Sequence, residues 1–383
     1  MKVILNVDAI TGPLTGIGNY ANQLANKLPH NPDIDELKLY SSHRWIKDPE
    51  HALKANQMLA SIRKNVPLKG TALKLYTWQK NLWFKKKSKP FDKNYLLHSP
   101  NYLLLPFEGK SITTIHDLSF IRYPETHPKE RVAILEKELP KSINQASAII
   151  TDSDYIKREV HEILNIPNDK IHVVPLGVSK DYRPYAKKDY LPILKKYNLD
   201  NINYILSVAT LEPRKNLNSL IDAYLLLPKP IRKQYKLVIA GARGWLSKDL
   251  FARIEMLMNR GEIISLGYID SNDLPYIYSG SQGFALPSLY EGFGLPILEA
   301  MAAGTPVLTS TSSSLPEVAA GAAILTNAND IEDISNGLLQ LVEDKNLQKE
   351  AIQKGLARAR EYTWEKCIDK TVDVYKHVLN KTP

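Results

Sequence analysis

The sequence predicts an α/β protein of two domains, each built on a mostly parallel sheet covered by helices on both faces. Short apolar runs typical of buried strands alternate with helical stretches through residues 1–178, and the same alternation begins again near residue 201. A polar stretch rich in Lys and Tyr separates the two series, and 383 residues with 44% hydrophobic content suffice for two cores. In such sheets we expect functional side chains at the carboxyl ends of the strands.

The first domain opens with an apolar run over residues 3–10, a glycine-containing loop over 11–20 and a helix that extends to about Leu28. Gly16 and Gly18 have the spacing of a dinucleotide-binding fingerprint, but no acidic residue follows at the offset that ribose recognition requires. A tight turn that needs positive φ at these glycines is the alternative interpretation. The further strands predicted for this domain are Glu36–Ser42, Asn94–Pro100, Ser111–Leu118, Ala146–Asp152 and Lys170–Gly177.

Polar side chains follow several of these strands. His116 ends the strand 111–118, where a lone histidine is more often structural than ligand-binding. His98 ends the neighbouring strand and is a weaker candidate, for contact with a second ligand that would act as the acceptor. Asp152, Ser153 and Asp154 spell a D-x-D triplet that some enzymes use to hold a divalent cation. Capping of the helix that follows explains this triplet fully, so we expect no metal site.

The segment 74–90, KLYTWQKNLWFKKKSKP, departs from the regular α/β alternation. A helical wheel separates its large apolar side chains from several of its lysines. The apolar face consists of Leu75, Tyr76, Trp78, Leu82 and Trp83, and the lysines outside it are Lys74, Lys80 and Lys85. Aromatic side chains beside clustered lysines suit a helix that lies on an anionic membrane surface. An ordinary amphipathic helix with a solvated basic face is the alternative.

The formal net charge of +9 favours an anionic partner. The basic residues do not interleave with a nucleic-acid-binding motif, so an anionic membrane surface is the better candidate. One cysteine, Cys367, excludes an internal disulfide and fits a reducing compartment. No stretch reaches the apolar length of a membrane span, and we expect a cytoplasmic protein that attaches peripherally to the plasma membrane if the segment 74–90 binds lipid.

In the second domain, Arg214 and Lys215 follow the first strand and precede a helix that Asn216 is expected to cap. A guanidinium that binds phosphate bidentately, beside an ammonium that acts as a point charge, would neutralise a diphosphate. A solvated basic turn is the alternative. The strands predicted for this domain are Tyr204–Ala209, Lys236–Gly241, Ile263–Tyr268, Gly283–Pro287, Pro306–Thr311 and Ala323–Thr326.

The stretch 289–301, LYEGFGLPILEAM, combines a glycine loop, the start of a helix at Pro296 and two glutamates, Glu291 and Glu299. The glycines let backbone amides approach a ligand, and the unpaired N–H groups of a helix start favour an anion such as phosphate. Carboxylates beside an anion site indicate that the ligand also carries hydroxyl groups, because a carboxylate only accepts hydrogen bonds. The stretch therefore predicts a nucleotide-sugar diphosphate, with simple helix-start preference for Glu as the alternative.

These residues resemble known motifs. Glu291 and Glu299, with seven residues between them, resemble the E-x7-E motif of retaining glycosyltransferases of family 4, which have the GT-B fold. The string SVATLEPRKN at 207–216 resembles a second motif of that family. The resemblance implies two Rossmann-like domains that face each other across a cleft. The implied parts are an acceptor-binding domain at 1–178, a linker at 179–200, a nucleotide-sugar-binding domain at 201–363 and a C-terminal helix within 364–383 that crosses back to the first domain.

The resemblance also implies roles for individual residues. Arg214 and Lys215 would stabilise the departing nucleoside diphosphate in place of a metal, Glu291 would hold the hydroxyls of the transferred sugar, and His116 would lie beside that sugar. The other implied donor-binding residues are Glu299 for the ribose, Gly294 and Leu295 for the phosphates, Tyr268 and Ile269 for the nucleobase, and Gly16 and Gly18 in the loop near the phosphates and the acceptor.

The strings GIGNY at 16–20, IHDLS at 115–119 and LEPRKN at 211–216 together most resemble bacterial mannosyltransferases of O-antigen and related polysaccharide assembly, which use GDP-mannose. We therefore expect a retaining, metal-independent transfer of mannose to a glycan or polyprenyl-diphosphate-linked glycan, with no cofactor besides the donor. UDP-glucose, UDP-N-acetylglucosamine and dTDP-rhamnose remain alternative donors. Alternatives from other classes are a sugar-nucleotide epimerase, a glycan phosphorylase and a non-catalytic scaffold that binds polysaccharide or nucleic acid. A phosphorylase would need a pyridoxal-phosphate lysine site, and none is recognisable in the sequence.

Overall fold

The computed structural model describes residues 1–12, 14, 16–53, 70–242, 244–245 and 248–380, with the backbone alone for 70–78. The chain forms two compact units. The first unit contains Met1–Leu118, Ala133–Leu176 and the residues from Trp364 onward, and the second contains Ser119–Val132 and Gly177–Thr363. Each unit is built on one sheet, so the predicted α/β architecture with two parallel-sheet domains is confirmed.

The strands of the two sheets follow the predicted apolar runs. The first sheet has the order β3-β2-β1-β4-β5-β6-β7 and is parallel except for the antiparallel pair of β2 and β3. The second sheet has the order β10-β9-β8-β11-β12-β13 and is parallel throughout its described pairs. The strands are β1 Lys2–Asn6, β2 Glu36–Ser41, β3 Arg44–Ile46, β4 Leu96–Ser99, β5 Ser111–Ile115, β6 Ala148–Thr151, β7 Ile171–Val173, β8 Asn203–Val208, β9 Tyr235–Ala240, β10 Ile263–Gly267, β11 Gly283–Leu286, β12 Val307–Ser310 and β13 Ala323–Thr326.

Helices connect most of these strands. The described α-helices are α1 Gly16–Lys27, α2 Gly70–Ser88, α3 Ser119–Arg122, α4 Lys129–Gln145, α5 Asp154–Leu164, α6 Lys187–Lys196, α7 Leu217–Leu226, α8 Lys229–Gln234, α9 Lys248–Asn259, α10 Leu274–Ser279, α11 Leu295–Ala302, α12 Leu315–Ala319, α13 Ile331–Glu343, α14 Lys345–Ala359 and α15 Trp364–Asn380. Single turns of 3-10 helix occupy Leu28–His30, Lys89–Phe91, Pro124–Thr126, Asn168–Lys170 and Pro213–Lys215. None of the helices in the described ranges is both long and apolar enough to cross a membrane.

Each sheet packs its apolar residues against these helices. In the second unit, side chains of β8, β9 and β11 form one continuous core with α7, α9 and α13. In the first unit, an aromatic cluster joins Phe84 of α2 to Tyr40 of β2 and Tyr95 just before β4. The central strands β4, β5, β6, β11 and β12 are consequently buried along their whole length, which explains why they appear in the sequence as nearly continuous apolar runs.

The structure adds two features to the sequence-based picture. The hairpin strand β3 was not predicted, because it is only three residues long and its turn uses positive φ at Ser42 and His43 rather than at glycines. The residues 119–132 cluster with the second unit, as does the stretch 179–200, where α6 forms. The second unit therefore includes a segment that the sequence alone assigned to the first domain.

Candidate functional site

The order of strands in the second sheet brings two parts of the predicted site together. β8 and β11 are neighbours and run parallel, although β9 and β10 lie between them in the sequence. The turn Pro213–Lys215 follows β8 and the loop of Glu291 follows β11, and the backbone N–H of Leu289 donates to the carbonyl oxygen of Arg214 at 3.0 Å. Two distant sequence motifs thus meet at one point on the carboxyl edge of the sheet.

Glu291 is the centre of a buried cluster of charges. Lys215 Nζ donates to Glu291 Oε1 at 2.6 Å and lies 2.8 Å from Oε2, while Arg214 Nη1 donates to Oε2 at 3.0 Å. Arg214 Nη1 also donates to the carbonyl of Tyr290 at 2.7 Å, and Ser288 Oγ donates to Glu291 Oε1 at 2.8 Å. All three charged side chains are largely buried. The solvated basic turn that was the alternative for Arg214 and Lys215 is therefore excluded.

The electrostatics of this cluster keep Glu291 ionised. Burial by itself raises the pKa of Glu291, but the charges of Lys215 and then Arg214 outweigh it, so that the pKa lies below its ordinary value. Glu212 is a second buried carboxylate, with its Oε2 at 3.7 Å from Arg214 Nη2. Burial raises the pKa of Glu212 despite the opposing charges of Lys215 and Arg214. Two cations are thus enclosed with two carboxylates.

The loop of Glu291 is held on its other side by serines that the sequence analysis did not single out. The N–H of Glu291 donates to Ser313 Oγ at 2.8 Å, and Ser314 Oγ donates to the carbonyl of Glu291 at 2.9 Å. Gly294 ends the loop with a φ of 92°, and a Cβ there would lie 2.6 Å from a methyl group of Leu315. Only glycine therefore fits both the backbone and the space at this helix start.

The helix start provides the predicted amide groups. Gly294 is the residue before α11, and Leu295 and Pro296 form its first turn. Pro296 has no N–H, and the N–H of Ile297 donates to the carbonyl oxygen of Gly294 at 3.0 Å, so the backbone N–H groups that this turn could offer to a phosphate are those of Gly294 and Leu295. The position lies at the end of the same loop that carries Glu291.

Glu299 differs from Glu291 in its environment. It lies on α11 and is partly buried, where Tyr278 OH donates to its Oε2 at 3.1 Å and Tyr182 forms a second hydrogen bond. Burial raises the pKa of Glu299 to about 7, although both tyrosine bonds oppose this shift. The rings of Tyr182 and Tyr278 lie 5.6 Å apart in an edge-to-face arrangement, which fixes the two donors. The two glutamates of the motif therefore have pKa values shifted in opposite directions.

Tyr268 and Ile269, assigned to the nucleobase, follow β10. Gly267 has a φ of 65° and its carbonyl accepts from the N–H of Gly241 at 2.7 Å. The Tyr268 side chain is 52% exposed, whereas that of Ile269 is buried. The placement of Tyr268 and Ile269 beside a nucleobase stays a prediction.

In the first unit, His116 is buried with both ring nitrogens bonded. Nδ1 lies 2.7 Å from Asp152 Oδ2, and Nε2 lies 2.9 Å from the carbonyl oxygen of Pro100. A carbonyl only accepts, so Nε2 carries a proton; Asp152 favours a proton on Nδ1 as well. Burial lowers the pKa of His116, but the charge and hydrogen bond of Asp152 outweigh it and raise the pKa above its ordinary value. The placement of His116 beside a donor sugar stays a prediction.

Two other predictions in the first unit have clear outcomes. His98 is fully buried between Tyr375 OH at 2.7 Å and Thr114 Oγ1 at 2.9 Å, and burial lowers its pKa to about 3, so a role in binding an acceptor is wrong. Ser153 caps α5 by accepting from the N–H of Ile156, as expected for the D-x-D triplet. In the described residues no group of His, Cys, Asp or Glu side chains gathers in the manner of a metal site.

Gly16 and Gly18 both lie in α1, and neither has a positive φ. The tight turn that was the alternative explanation for these glycines is therefore wrong. Gly16 is exposed at the start of the helix, and a Cβ there would have no neighbour within 4 Å. Gly18 is buried inside the helix. The open space in front of Gly16 is compatible with a ligand, and its role stays a prediction.

The segment 74–90 forms the C-terminal part of α2, and the side chains of Leu75, Tyr76, Trp78 and Lys74 lie outside the described residues. Of the described side chains on the predicted apolar face, Leu82 is 48% exposed and Trp83 54% exposed. The helix instead buries Phe84, and half-buried Lys80 pairs with Asp8 at 2.5 Å. The described residues predicted as one apolar face are therefore not packed inward, while Lys85 and Lys86 are exposed, and attachment of α2 to a membrane stays a prediction.

The two parallel-sheet units, with cations and a carboxylate enclosed at strand ends of the second, define the class of two-domain glycosyltransferases with the GT-B fold. Residues 192–358 match the family described as "Glycosyl transferases group 1", and residues 14–182 match "Glycosyltransferase Family 4". The chain belongs to this glycosyltransferase family.

Individual relatives agree with this assignment. The chain is 38% identical to the "O-antigen chain mannosyltransferase B" of Escherichia coli over 384 aligned residues, which cover 98% of this chain and 100% of that protein. Among solved structures, it resembles a sucrose-phosphate synthase from Thermosynechococcus elongatus with a TM-score of 0.75 and 19% identity over 99% of both chains. It also resembles WaaG, a glycosyltransferase involved in lipopolysaccharide biosynthesis, with a TM-score of 0.73 and 16% identity over 97% of this chain and 99% of that one. At these identities the two structures support the fold.

Proposed function

We propose that this chain transfers mannose from GDP-mannose, with retention of configuration and without a metal ion, to a glycan or polyprenyl-diphosphate-linked glycan in O-antigen or related polysaccharide synthesis. The observation that carries the choice of sugar and pathway is the 38% identity, over essentially the whole of both chains, to an O-antigen chain mannosyltransferase. The buried cluster of Arg214, Lys215 and Glu291 supports departure of GDP without a metal ion.

Departure of GDP requires positive charge at the diphosphate, because negative charge develops there as the bond to the sugar breaks. Arg214 and Lys215 are fixed by their bonds to Glu291 and Tyr290, so they need little reorganisation to supply that charge. A guanidinium and an ammonium at one site do what a divalent cation does in other transferases. This arrangement supports a reaction in which protein cations replace a metal.

Glu291 would accept hydrogen bonds from hydroxyls of the mannose. Its carboxylate already faces three donors, namely Lys215, Arg214 and Ser288, and its pKa is lowered. A carboxylate stabilised in this way is a weak nucleophile, so it is poorly suited to form a covalent glycosyl-enzyme. The geometry therefore favours attack of the acceptor on the same face from which GDP departs, with the departing phosphate accepting the proton of the hydroxyl group. Trapping of a glycosyl-enzyme would contradict this mechanism.

Glu299 would accept the hydroxyls of the donor ribose, and the first-turn amides of α11 would bind the phosphates. Tyr182 and Tyr278 orient the Glu299 carboxylate and leave part of it exposed. The aromatic side chain of Tyr268, together with backbone groups at Ile269, would contact the guanine.

The exposed part of α2 supports peripheral attachment to the inner face of the plasma membrane. Leu82 and Trp83 are exposed in the same turn as Lys85 and Lys86, and Lys89 is exposed just beyond the helix. Apolar side chains that enter the headgroup region beside lysines bind anionic lipid. Such attachment would place the enzyme beside a polyprenyl-diphosphate-linked acceptor.

The donor proposal is tested by measuring release of nucleoside diphosphate from GDP-mannose, UDP-glucose, UDP-N-acetylglucosamine and dTDP-rhamnose, with and without a mannan-type acceptor, in EDTA. We expect GDP-mannose to be the only one of the four donors that releases its nucleoside diphosphate, and we expect this release to require the acceptor. The product should be α-linked, as determined by NMR. Preferred release from another donor would contradict the choice of mannose, and activity that needs added Mn²⁺ or Mg²⁺ would contradict metal independence.

The membrane proposal is tested by flotation with vesicles that contain anionic lipid. Lys86→Glu with Lys89→Glu is the sharpest variant, because Lys85 pairs with Glu108 and Lys87 Nζ donates to the carbonyl of His43. We expect loss of flotation, and a similar loss for Trp83→Ser. Flotation equal to the unaltered protein in both variants would reject the proposal.

A further inference from the structure

The 119–132 segment, which belongs to the second unit, lies beside the charge cluster. The ring of Tyr123 packs 5.7 Å from that of Tyr290, whose carbonyl accepts from Arg214. Farther along, the indole N–H of Trp245 donates to the carbonyl of Thr126 at 2.6 Å. The segment is thus attached to the loops after both β11 and β9.

Trp245 serves as a platform for Arg131. The guanidinium carbon of Arg131 lies 5.3 Å from the centre of the Trp245 ring, within the range of a cation–π interaction. The ring of His127 lies 5.6 Å from the same indole, so Trp245 is held from two directions. Arg131 is therefore positioned by packing, and no carboxylate among the described residues forms a salt bridge with it.

Arg131 also lies close enough to act on the cluster. Gly244 packs directly against the strand-end loop, since a Cβ at Gly244 would lie 2.6 Å from the carbonyl oxygen of Leu211 and 2.7 Å from Cγ of Glu212. Burial raises the pKa of the Glu212 carboxyl group, and the positive charge of Arg131 is one of the smaller effects that oppose this rise. Arg131 Nε is buried and has no hydrogen-bond acceptor among the described residues.

The charges of the cluster show why another cation is useful. Arg214 and Lys215 are enclosed with Glu291 and Glu212, so with both carboxylates ionised the four side chains are neutral in sum. A nucleotide-sugar diphosphate is an anion, and it gains negative charge as the sugar departs. A neutral cluster attracts such a ligand weakly, and one further guanidinium changes the sum to positive.

We propose that Arg131 is a third cation of the donor site, which binds a phosphate of the nucleotide diphosphate from its place on Trp245. This inference rests on the proposed function, in that it requires a nucleoside diphosphate as ligand. Arg131 lies in the first turn of α4, and its free Nε–H and planar guanidinium are suited to bidentate contact with phosphate oxygens.

The test compares Arg131→Gln, Arg131→Lys and the matched control Lys129→Gln, which removes an exposed positive charge two residues away on the same helix. Binding of GDP and of guanosine to the full chain is measured by calorimetry and by ligand-detected NMR. We expect Arg131→Gln to weaken GDP binding roughly 10- to 100-fold, as for loss of a hydrogen bond to a charged group, without weakening guanosine binding. Arg131→Lys should restore part of the affinity, and Lys129→Gln should leave it unchanged.

Two results would overturn the role of Arg131: GDP affinity that is unchanged in Arg131→Gln, or an equal loss for GDP and guanosine, which a purely structural role would produce. The unaltered protein is measured with GDP, UDP and dTDP in the same series. If it prefers UDP or dTDP, the proposed donor is wrong, and the variants are then read with that nucleotide. If it binds none of the three, the third-cation proposal fails together with the donor site.

Discussion

Replacement of Glu291 by Gln separates the role of its charge from the role of its shape. The side chain keeps its size, but the negative charge between Lys215 and Arg214 disappears. Removing one member of a buried ion pair typically destabilises a protein by about 3–5 kcal/mol, and the amide oxygen can still accept one bond, so we expect about 3 kcal/mol. In a unit of this size that corresponds to a fall in Tm of roughly 6–12 °C.

The same substitution has the opposite effect on an anionic ligand. Without Glu291, the two cations have no carboxylate of their own at this position and gain more from a bound diphosphate. We therefore expect GDP to bind at least as tightly as to the unaltered protein and to restore much of the lost Tm. Transfer should nevertheless fall roughly 100-fold, because the hydrogen bonds that we propose from sugar hydroxyls to the Glu291 carboxylate would be weakened.

The assay is scanning fluorimetry with and without GDP, together with acceptor-dependent GDP release. Glu255→Gln, on the exposed face of α9, is the control for loss of one negative charge. A Glu291→Gln protein with an unchanged Tm and weakened GDP binding would refute the reasoning, since it would mean that the carboxylate is not what balances the two cations.

Two further predictions concern the other buried groups. Because the pKa of Glu299 is raised to about 7 and hydroxyl donors favour its ionised form, donor affinity should fall by up to about tenfold per pH unit below 7 and level off above it, and calorimetry should show no such slope in Glu299→Gln. Tyr375→Phe removes the partner of His98 Nδ1 and should lower the stability by about 1–3 kcal/mol, measured by urea unfolding, while GDP binding stays unchanged.

Much of the fold could be predicted because the central strands, such as β4, β5, β6, β11 and β12, are buried along their whole length and are therefore short apolar runs between helical segments. The strand order in space was the part that local sequence could not supply. Arg214 and Glu291 are more than seventy residues apart, and their contact depends on β11 inserting beside β8 rather than beside β10. The motifs predicted each residue by itself. Their pairing, and with it the lowered pKa of Glu291, follows from the order of the strands in the sheet.

Helix α2 shows a different limit of sequence reasoning. Its apolar residues are spread over most of the helix surface, so periodicity could not determine which of them pack inward. The aromatic cluster of Tyr40, Trp45 and Phe91 selects Phe84, and the ion pair with Asp8 holds Lys80 on the same side. Leu82 and Trp83, the described members of the predicted apolar face, then face outward and are exposed.

The two glutamates of the E-x7-E motif have different environments, because Glu291 lies on a loop and Glu299 on helix α11. Glu291 lies between cations and remains ionised, so it can exchange its bonds between those cations and a sugar without taking up a proton. Glu299 lies beside Tyr278 and Tyr182, and burial raises its pKa to about 7. A ribose whose hydroxyls donate to Glu299 would favour release of its proton, and the phosphates at Gly294 and Leu295 would attract the cations that Glu291 now holds. When the diphosphate binds Arg214 and Lys215, their bonds to Glu291 would weaken, and the Glu291 carboxylate could then accept hydrogen bonds from the sugar. Binding of the nucleotide would in this way be coupled to the arrangement of the groups proposed for catalysis.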